Sequence, residues 1–401
     1  MVKGRLQIKK GYYYAVLTYK KTNGKRKEIW RATGVKTYEN KKKAELICEE
    51  YREQLAVELR LLSTNNYIIK DRFQKLLLNY NDKTLFGDYM EKWLEIIANK
   101  IESSTFSSYQ YTVVRRIKPY FNNLGISLTK ITTLDLSLFY SYCINDVKAN
   151  TVKHYHAIIH QALKFAVEND LVAFNIAEKV RLPKVQEFIG QYYNREELIK
   201  LFESVRGKRI EFAVLMGAYY GLRRSEIVGL KWTAIDFTYK TISIRHTVTE
   251  YSIDGKIVRE GKDGAKSRNS IRTLPLLSEI ERYLLSLKET QAQNKLFFGI
   301  NYCADYEEYI YVDQIGKLIK PGFITQNFHK TLRDFGMRII RFQDLRHSCA
   351  TLLRHQGARM EDVQKWLGHS SIAITEKIYS HFENWEHIKT AKLVEEALKP
   401  L

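Results

Sequence analysis

A chain of 401 residues is long enough for two or three domains that each bury a core, and 45% hydrophobic with 27% charged residues is an ordinary globular composition, which excludes disorder as the default. Its 65 Lys and Arg against 45 Asp and Glu leave a net charge of +20, which points to a polyanionic partner because each Lys or Arg that meets a phosphate releases counterions. The four cysteines, Cys48, Cys143, Cys303 and Cys349, form no CxxC pair, which argues against a disulfide framework and a zinc knuckle. No apolar run reaches the roughly 18 residues of a membrane span and no signal-peptide core opens the chain, so a cytoplasmic protein without a membrane partner is expected.

The first 43 residues hold 14 Lys or Arg and only Glu28 and Glu39 as acids, a local basic module. Within it Leu6 to Ile8, Tyr12 to Tyr19 and Lys27 to Thr33 read as three short strands rich in aromatic and β-branched residues, with Asn23-Gly24 as a hairpin turn. A helix is expected from Glu39 to Leu62, with Ala44, Ile47, Cys48, Tyr51, Leu55 and Leu59 at helical spacing. A sheet backed by one helix, with basic residues interleaved among tyrosines, suits a DNA major groove, with a basic oligomerisation or RNA-binding module as the alternative, and Lys20, Lys25, Arg26, Lys27 and Arg31 are its candidate DNA contacts.

Residues 63–83 read as a linker, followed by an all-helical region over 84–178. There Leu85, Tyr89, Trp93 and Ile96-Ile97 form one apolar stripe, and Val152, Tyr155, Ile158-Ile159, Ala162-Leu163 and Ala166-Val167 form another. Residues 179–191 form a second linker, whose Lys179, Arg181 and Lys184 suit a strap over a nucleic-acid backbone or a plain solvated connector. From residue 192 the pattern is mixed and mainly α. Helices are expected over Glu196 to Arg206, Ile210 to Tyr220, Ser278 to Gln291, Thr325 to Phe335, Gln343 to Gln356 and Met360 to Leu367. A small antiparallel sheet is expected from Thr241 to Thr249, Val258-Arg259 and Ser270 to Leu274, with turns at Asp254-Gly255 and Asp263-Gly264. The expected fold class is therefore multidomain: a small α+β module of three strands and a helix over 1–62, an all-α domain over 84–178, and a mainly-α domain with a small antiparallel sheet over 192–385. A terminal helix follows in 386–401.

Chemistry concentrates in this last domain. Gly221-Leu222-Arg223-Arg224-Ser225-Glu226 closes an apolar stretch, and Gln343-Asp344-Leu345-Arg346-His347 precedes Leu367-Gly368-His369 and then Tyr379, ten residues after that histidine. Several separated motifs agree in order and spacing, and on them the chain resembles the tyrosine recombinase (phage integrase) family over nearly its whole length. The resemblance implies that Arg223 and Arg346 grip the non-bridging oxygens of a scissile phosphate and offset the transition-state charge without a metal or other cofactor. It implies Tyr379 as nucleophile, His369 as a hydrogen-bond donor to the phosphate, and Glu226 as a supporting carboxylate three residues after Arg223. Lys266, in Lys266-Ser267-Arg268-Asn269-Ser270-Ile271-Arg272-Thr273-Leu274-Pro275, matches the lysine that protonates the leaving 5′ oxygen, with Lys262 as its competitor. Gln343 departs from the pattern, since the family usually has histidine there; glutamine can hydrogen-bond a phosphate oxygen but cannot titrate. Asn175-Ile176 likewise replaces the frequent Asn-Pro.

The resemblance further implies a site-specific integrase of a mobile element, binding core and arm sites on double-stranded DNA as a homotetramer and passing through a 3′-phosphotyrosine and a Holliday junction. A directionality factor and a DNA-bending protein are possible partners, and the helix within 386–401 docks on its own domain or on a neighbouring subunit. The alternatives are a type IB topoisomerase-like activity, which the basic N-terminal module argues against, and a non-catalytic DNA-binding regulator, which Gln343 alone favours.

Overall fold

A computed structural model of the chain describes residues 2–9, 11–20, 26–39, 41–56, 83–185, 190–264 and 271–368. The Asn23-Gly24 turn, the linker up to residue 82, the end of the first helix beyond residue 56 and the terminal helix lie outside the described residues. Strands β1 (Lys3–Lys9), β2 (Tyr12–Lys20) and β3 (Arg26–Lys36) form an antiparallel sheet in that order. Helix α1, over residues 41–56, covers one face, where Tyr13, Val35 and Ala44 are buried with Leu6 and Ile47 against them. Alternation along each strand leaves the other face open.

The chain divides into two compact units: Met1–Asn99, Val113–Asn145 and His154–Arg181 form one, and Lys100–Thr112, Asp146–Lys153 and Leu182–Leu401 the other. Between residues 84 and 179 run α2 (Phe86–Ile97), α3 (Ser103–Thr112), a π-helical turn (Val113–Ile117), α4 (Lys118–Asn123), α5 (Thr133–Ile144), α6 (Ala149–Glu168) and a 3-10 turn (Ile176–Lys179). In the first unit α2 buries Phe86, Tyr89, Met90 and Trp93, and Phe86 meets Phe121 of α4 edge-on with ring centroids 5.0 Å apart. Thr132 and Asp135 form a reciprocal cap that starts α5.

In the second unit, α7 (Arg195–Val205) starts on an Asn194–Glu197 capping box, and α8 (Glu211–Tyr220) is apolar on all sides and buried along nearly its whole length. It forms the centre of the core, with α9 (Arg224–Val228), α10 (Ser278–Phe298), α11 (Pro321–Asp334), α12 (Asp344–His355) and α13 (Met360–Leu367) completing the helices. Strands β4 (Ile235–Asp236), β5 (Thr241–Ile244) and β8 (Arg272–Pro275) make one small sheet, and β6 (His246–Ile253) pairs with β7 (Lys256–Asp263) as a separate ribbon. The Asp254-Gly255 turn forms as expected, with φ of 51° and 76°. The single strand expected over Thr241 to Thr249 is in fact two. The chain changes sheets at Arg245, which continues a β-prone run and so gives no turn signal; its carbonyl accepts from Gly264 N at 2.9 Å, where the ribbon closes. The helix from Ser278 also runs past Gln291 to Phe298. Among the described residues no helix is long and apolar enough to cross a membrane.

One close contact gives a test of the α2–α4 packing. A Cβ at Gly87 would lie 2.7 Å from Lys118 Cα and 2.9 Å from its carbonyl oxygen, backbone that cannot turn aside. In an exposed helix Gly→Ala stabilises by about 1 kcal/mol. Here Gly87→Ala should instead lower the unfolding free energy by about 1–3 kcal/mol in urea titrations, and a stabilised variant would show that α2 and α4 are not this close.

Candidate functional site

Of the residues that the sequence motifs single out, Arg223 and Arg346 come together near one buried carboxylate, Glu226. Helix α8 ends at Gly221, whose φ of 61° turns the chain so that Arg223 caps the short helix α9 and Glu226 faces inward. Arg223 donates to Glu226 from its backbone nitrogen (2.9 Å) and from Nη1 (2.8 Å). Arg272, the first residue of β8, reaches the same carboxylate through Nη2 at 3.2 Å, while its Nε donates to the Trp366 carbonyl at 2.9 Å. Glu226 and Arg272 side chains are 3% and 6% exposed, whereas that of Arg223 keeps 36% of its surface open to solvent. The ion pair is thus buried on one side and solvent-facing on the other.

Arg346, on α12, is buried beside this pair. Its Nη1 donates to the Gly221 carbonyl and its Nη2 to the Leu367 carbonyl, both at 2.6 Å. A Cβ on Gly221 would overlap Leu367 and lie 3.3 Å from Arg346 Cγ, so only glycine lets the three elements close together. Arg346 and Arg272 each donate to a carbonyl of the last turn of α13, the end of a helix where cations are favoured. They fix that end one or two residues before Gly368, which leaves the helix with a φ of 69° toward His369.

The electrostatics follow from this crowding. Burial, together with the neighbouring Arg223 and Arg272 charges, pushes the Arg346 guanidinium down to about 9, with Glu226 opposing the shift. It stays protonated at neutral pH. Burial acts to raise the Glu226 carboxyl, yet the Arg272 and Arg223 charges outweigh it and hold the group below its ordinary value. Three guanidiniums therefore gather near one carboxylate among the described residues, two of them hydrogen-bonded to it.

Gln343 is exposed and directly precedes α12, and its carbonyl accepts from Arg346 N at 3.2 Å, so the two residues sit one turn apart. Lys262, on β7, is ion-paired with Glu102. Lys266, His369 and Tyr379 lie outside the described residues. Two contributors escaped the sequence reading. Arg272 was visible only as part of a motif, with nothing in it to indicate a shared carboxylate. His347 packs its ring against Gly190, where a Cβ would lie 3.1 Å away, and its Nδ1 is buried with no hydrogen-bond partner among the described residues. Burial lowers the tendency of this imidazole to protonate.

The candidate DNA contacts separate by position. Directly opposed residues share a face of an antiparallel sheet, and Arg31 pairs with Ala15 and Lys27 with Tyr19, on the side that α1 covers. The Arg31 guanidinium lies over the Tyr51 ring at 5.3 Å, turned toward the helix. Arg26 pairs with Lys20 in the alternate register, on the open face. That face also presents Arg5, Lys9, Tyr12, Tyr14 and Trp30, with Lys9 Nζ 5.6 Å from the Trp30 ring centroid. Lys25 and the side chain of Lys20 lie outside the described residues. Arg181 and Lys184 are exposed, and Lys179 lies over the Phe174 ring at 5.0 Å.

Comparison with known proteins adds a family to this geometry. Residues 194–385 match the phage integrase family, and residues 85–144 match the phage integrase N-terminal SAM-like domain, together well over half of the chain. A XerC-like tyrosine recombinase of Caldanaerobacter subterraneus subsp. tengcongensis is 28% identical across 95% of this chain and 95% of its own. The ICEBs1 integrase of Bacillus subtilis is 25% identical over 69% of this chain and 73% of its own. Among solved structures, the Tn1549 transposon integrase in complex with a circular intermediate DNA superposes with a TM-score of 0.62 at 13% identity, covering 77% of this chain and 99% of that one. A lambda integrase tetramer bound to a Holliday junction gives 0.55 at 18% identity over 91% and 95%. At these identities the structural likeness is one of fold.

The shared carboxylate yields a stability prediction with a definite sign. Because the folded-state pKa of Glu226 is depressed, its contribution is fully present above 4.5, the ordinary value, and is lost as pH falls through the lower folded value. Glu226→Gln removes the buried charge that Arg272 and Arg223 meet and should lower the unfolding free energy by about 3–5 kcal/mol at neutral pH. Chemical denaturation across the acid range checks both. A variant as stable as the parent, with the same acid dependence, would show that the pair is not held as described.

Proposed function

We propose that this chain, which belongs to the tyrosine recombinase (phage integrase) family, is the integrase of a mobile element, joining and excising DNA by conservative strand exchange. It is a DNA breaking and rejoining enzyme, and the proposal concerns how its residues do this and on which DNA. The observation that carries it is the arginine cluster: Arg223 partly open to solvent and held by Glu226, which Arg272 shares, and Arg346 buried nearby on the Gly221 and Leu367 carbonyls.

A scissile phosphate that accepts hydrogen bonds from Arg223 and Arg346 gains most as it acquires the extra charge of the pentavalent transition state. Donors already fixed in a poorly solvated site need no reorganisation at that moment. Tyr379 gives up its phenolic proton to water and its oxygen attacks phosphorus; the bond to the 5′ oxygen breaks, and that oxygen takes a proton from the Lys266 ammonium. A free phenol titrates near roughly 10, so the surrounding cations favour the attacking oxyanion. His369 and Gln343 donate hydrogen bonds to the phosphate, Gln343 without proton transfer. The 3′-phosphotyrosine conserves the energy of the broken linkage, and the 5′ hydroxyl of a partner duplex reverses the step to complete exchange. No ATP is needed.

Four protomers on two duplexes, with a Holliday junction between the two exchanges, would follow the assembly in which the lambda integrase was captured. The domains over 1–62, 84–178 and 192–385 would then read arm sites, core sites and the scissile phosphate respectively. Lys179, Arg181 and Lys184 would follow the backbone between core-site readers, and the open face of the N-terminal sheet would enter an arm-site groove. The setting would be the bacterial cytoplasm and its nucleoid DNA, with a directionality factor and a DNA-bending protein as partners.

A nicked suicide duplex carrying the junction sequence of the encoding element separates this reading from a regulator that keeps only the fold. The enzyme should form a covalent adduct on a denaturing gel that Tyr379→Phe eliminates while mobility-shift binding persists. No adduct with the unmodified chain would favour the regulator, and relaxation of supercoiled DNA without exchange between labelled duplexes would favour the topoisomerase. Gln343→His should preserve or speed cleavage. A large loss of DNA binding in that variant would place Gln343 away from the phosphate.

A further inference from the structure

The open face of the N-terminal sheet carries one residue of the wrong sign for DNA. Strand register places Lys3, Arg5, Lys9, Arg26 and Lys36 on that face, and within the three strands Glu28 is the one acid. Glu28 stands opposite Thr18 of the middle strand, whose hydroxyl donates to Glu28 Oε1 at 3.5 Å. Arg5 reaches the same oxygen through Nη2 at 3.3 Å. Because Arg5 lies on β1 and Glu28 on β3, their ion pair spans β2.

As a support for the fold this pair is weak, since its side chains are 63% and 45% exposed and solvent screens such charges. For binding to a polyanion it is unfavourable, because the carboxylate repels the phosphates that the surrounding cations attract. As a reader of base edges it is well formed. In the major groove guanine offers O6 and N7 as acceptors for a bidentate arginine, and cytosine offers its N4 amino group as a donor to a carboxylate. A hollow of about 660 Å³, lined by Lys3, Arg5, Thr18, Arg26 and Glu28 among others, leaves both side chains open to an incoming edge.

We propose that Arg5 and Glu28 are specificity-determining residues that read one G·C base pair in the major groove of an arm site, Arg5 donating two hydrogen bonds to the guanine and Glu28 accepting one from the cytosine. The proposal rests on the reading of the open face as the arm-site surface. Glu28 works by exclusion as well as attraction. With adenine in place of the guanine, its N6 amino group meets Arg5 and the O4 of the paired thymine meets Glu28, donor against donor and acceptor against acceptor. The carboxylate thus lowers affinity for DNA in general and widens the difference between right and wrong sites.

The test selects duplexes from a random-sequence DNA pool with the full-length chain and sequences those it retains. A motif that disappears in the double variant Lys9→Ala/Arg26→Ala, both substitutions at exposed positions, belongs to the open face. One position of that motif should be G·C by at least about tenfold over the other pairs, and in Glu28→Gln this preference should fall below about threefold while the other positions stand. Arg5→Ala should lose the same position. Affinity of Glu28→Gln for an unrelated duplex should rise a few-fold, roughly as expected for removing one negative charge from the face. A Glu28→Gln variant that keeps the whole motif, or loses all of it, overturns the role of Glu28 and leaves the open-face reading in place. That reading itself fails if no motif depends on Lys9 and Arg26, or if the motif binds equally well as duplex RNA, whose deep, narrow major groove side chains cannot read.

Discussion

The second compact unit is organised around one buried carboxylate. Glu226 sits in the interior, where an unpaired charge is too costly to persist, and it is tolerated because Arg223 and Arg272 meet it from two different elements. Each arginine brings more than its charge. Arg223 ties the start of α9, and Arg272 ties β8 and, through the Trp366 carbonyl, the end of α13. Arg346 joins the same assembly from α12 by holding the Gly221 and Leu367 carbonyls. Loss of the carboxylate would therefore disconnect several parts of the unit together.

Among the described residues three guanidiniums gather near one carboxylate, and burial first, then the Arg223 and Arg272 charges, lowers the proton affinity of Arg346. The packing of α8, α12 and α13 holds these charges close together in a site of low effective dielectric. Close-approach glycines make the packing possible. Gly221 admits Leu367 and Arg346, and Gly229 admits the backbone of β6. The pattern fits a site preorganised for charge that develops during a reaction rather than for a resting ligand.

Much of this could be read in the residues because local signals and tertiary demands coincide. The Asp254-Gly255 turn needs two positive φ angles, and α13 runs from Met360 to Leu367 because its apolar period and its terminal glycine agree. Helix α8 was recognisable from its continuous apolar run. What escaped depends on pairing, which a linear pattern does not contain. The switch of sheets at Arg245 lies inside an unbroken β-prone stretch. The choice of Arg26 over Arg31 for the open face follows from strand register, since a shift of one residue reverses the faces. Arg272 could be placed in a motif, but its sharing of Glu226 arises only when β8 and α9 are brought together. The motif positions Lys266, His369 and Tyr379 remain assignments from sequence and lie outside the described residues.

The central claim is that the arginines act by offsetting charge on a single phosphate, and a chemically altered phosphate tests it most directly. A methylphosphonate at the scissile position removes the charge of one non-bridging oxygen and with it the need for one cation. Cleavage by Arg223→Ala should fall by roughly a hundred- to a thousandfold on the ordinary phosphate and by far less on the methylphosphonate, relative to the unmodified chain on each. An equal loss on both substrates would mean that Arg223 serves only the fold, and the account of the site would fail.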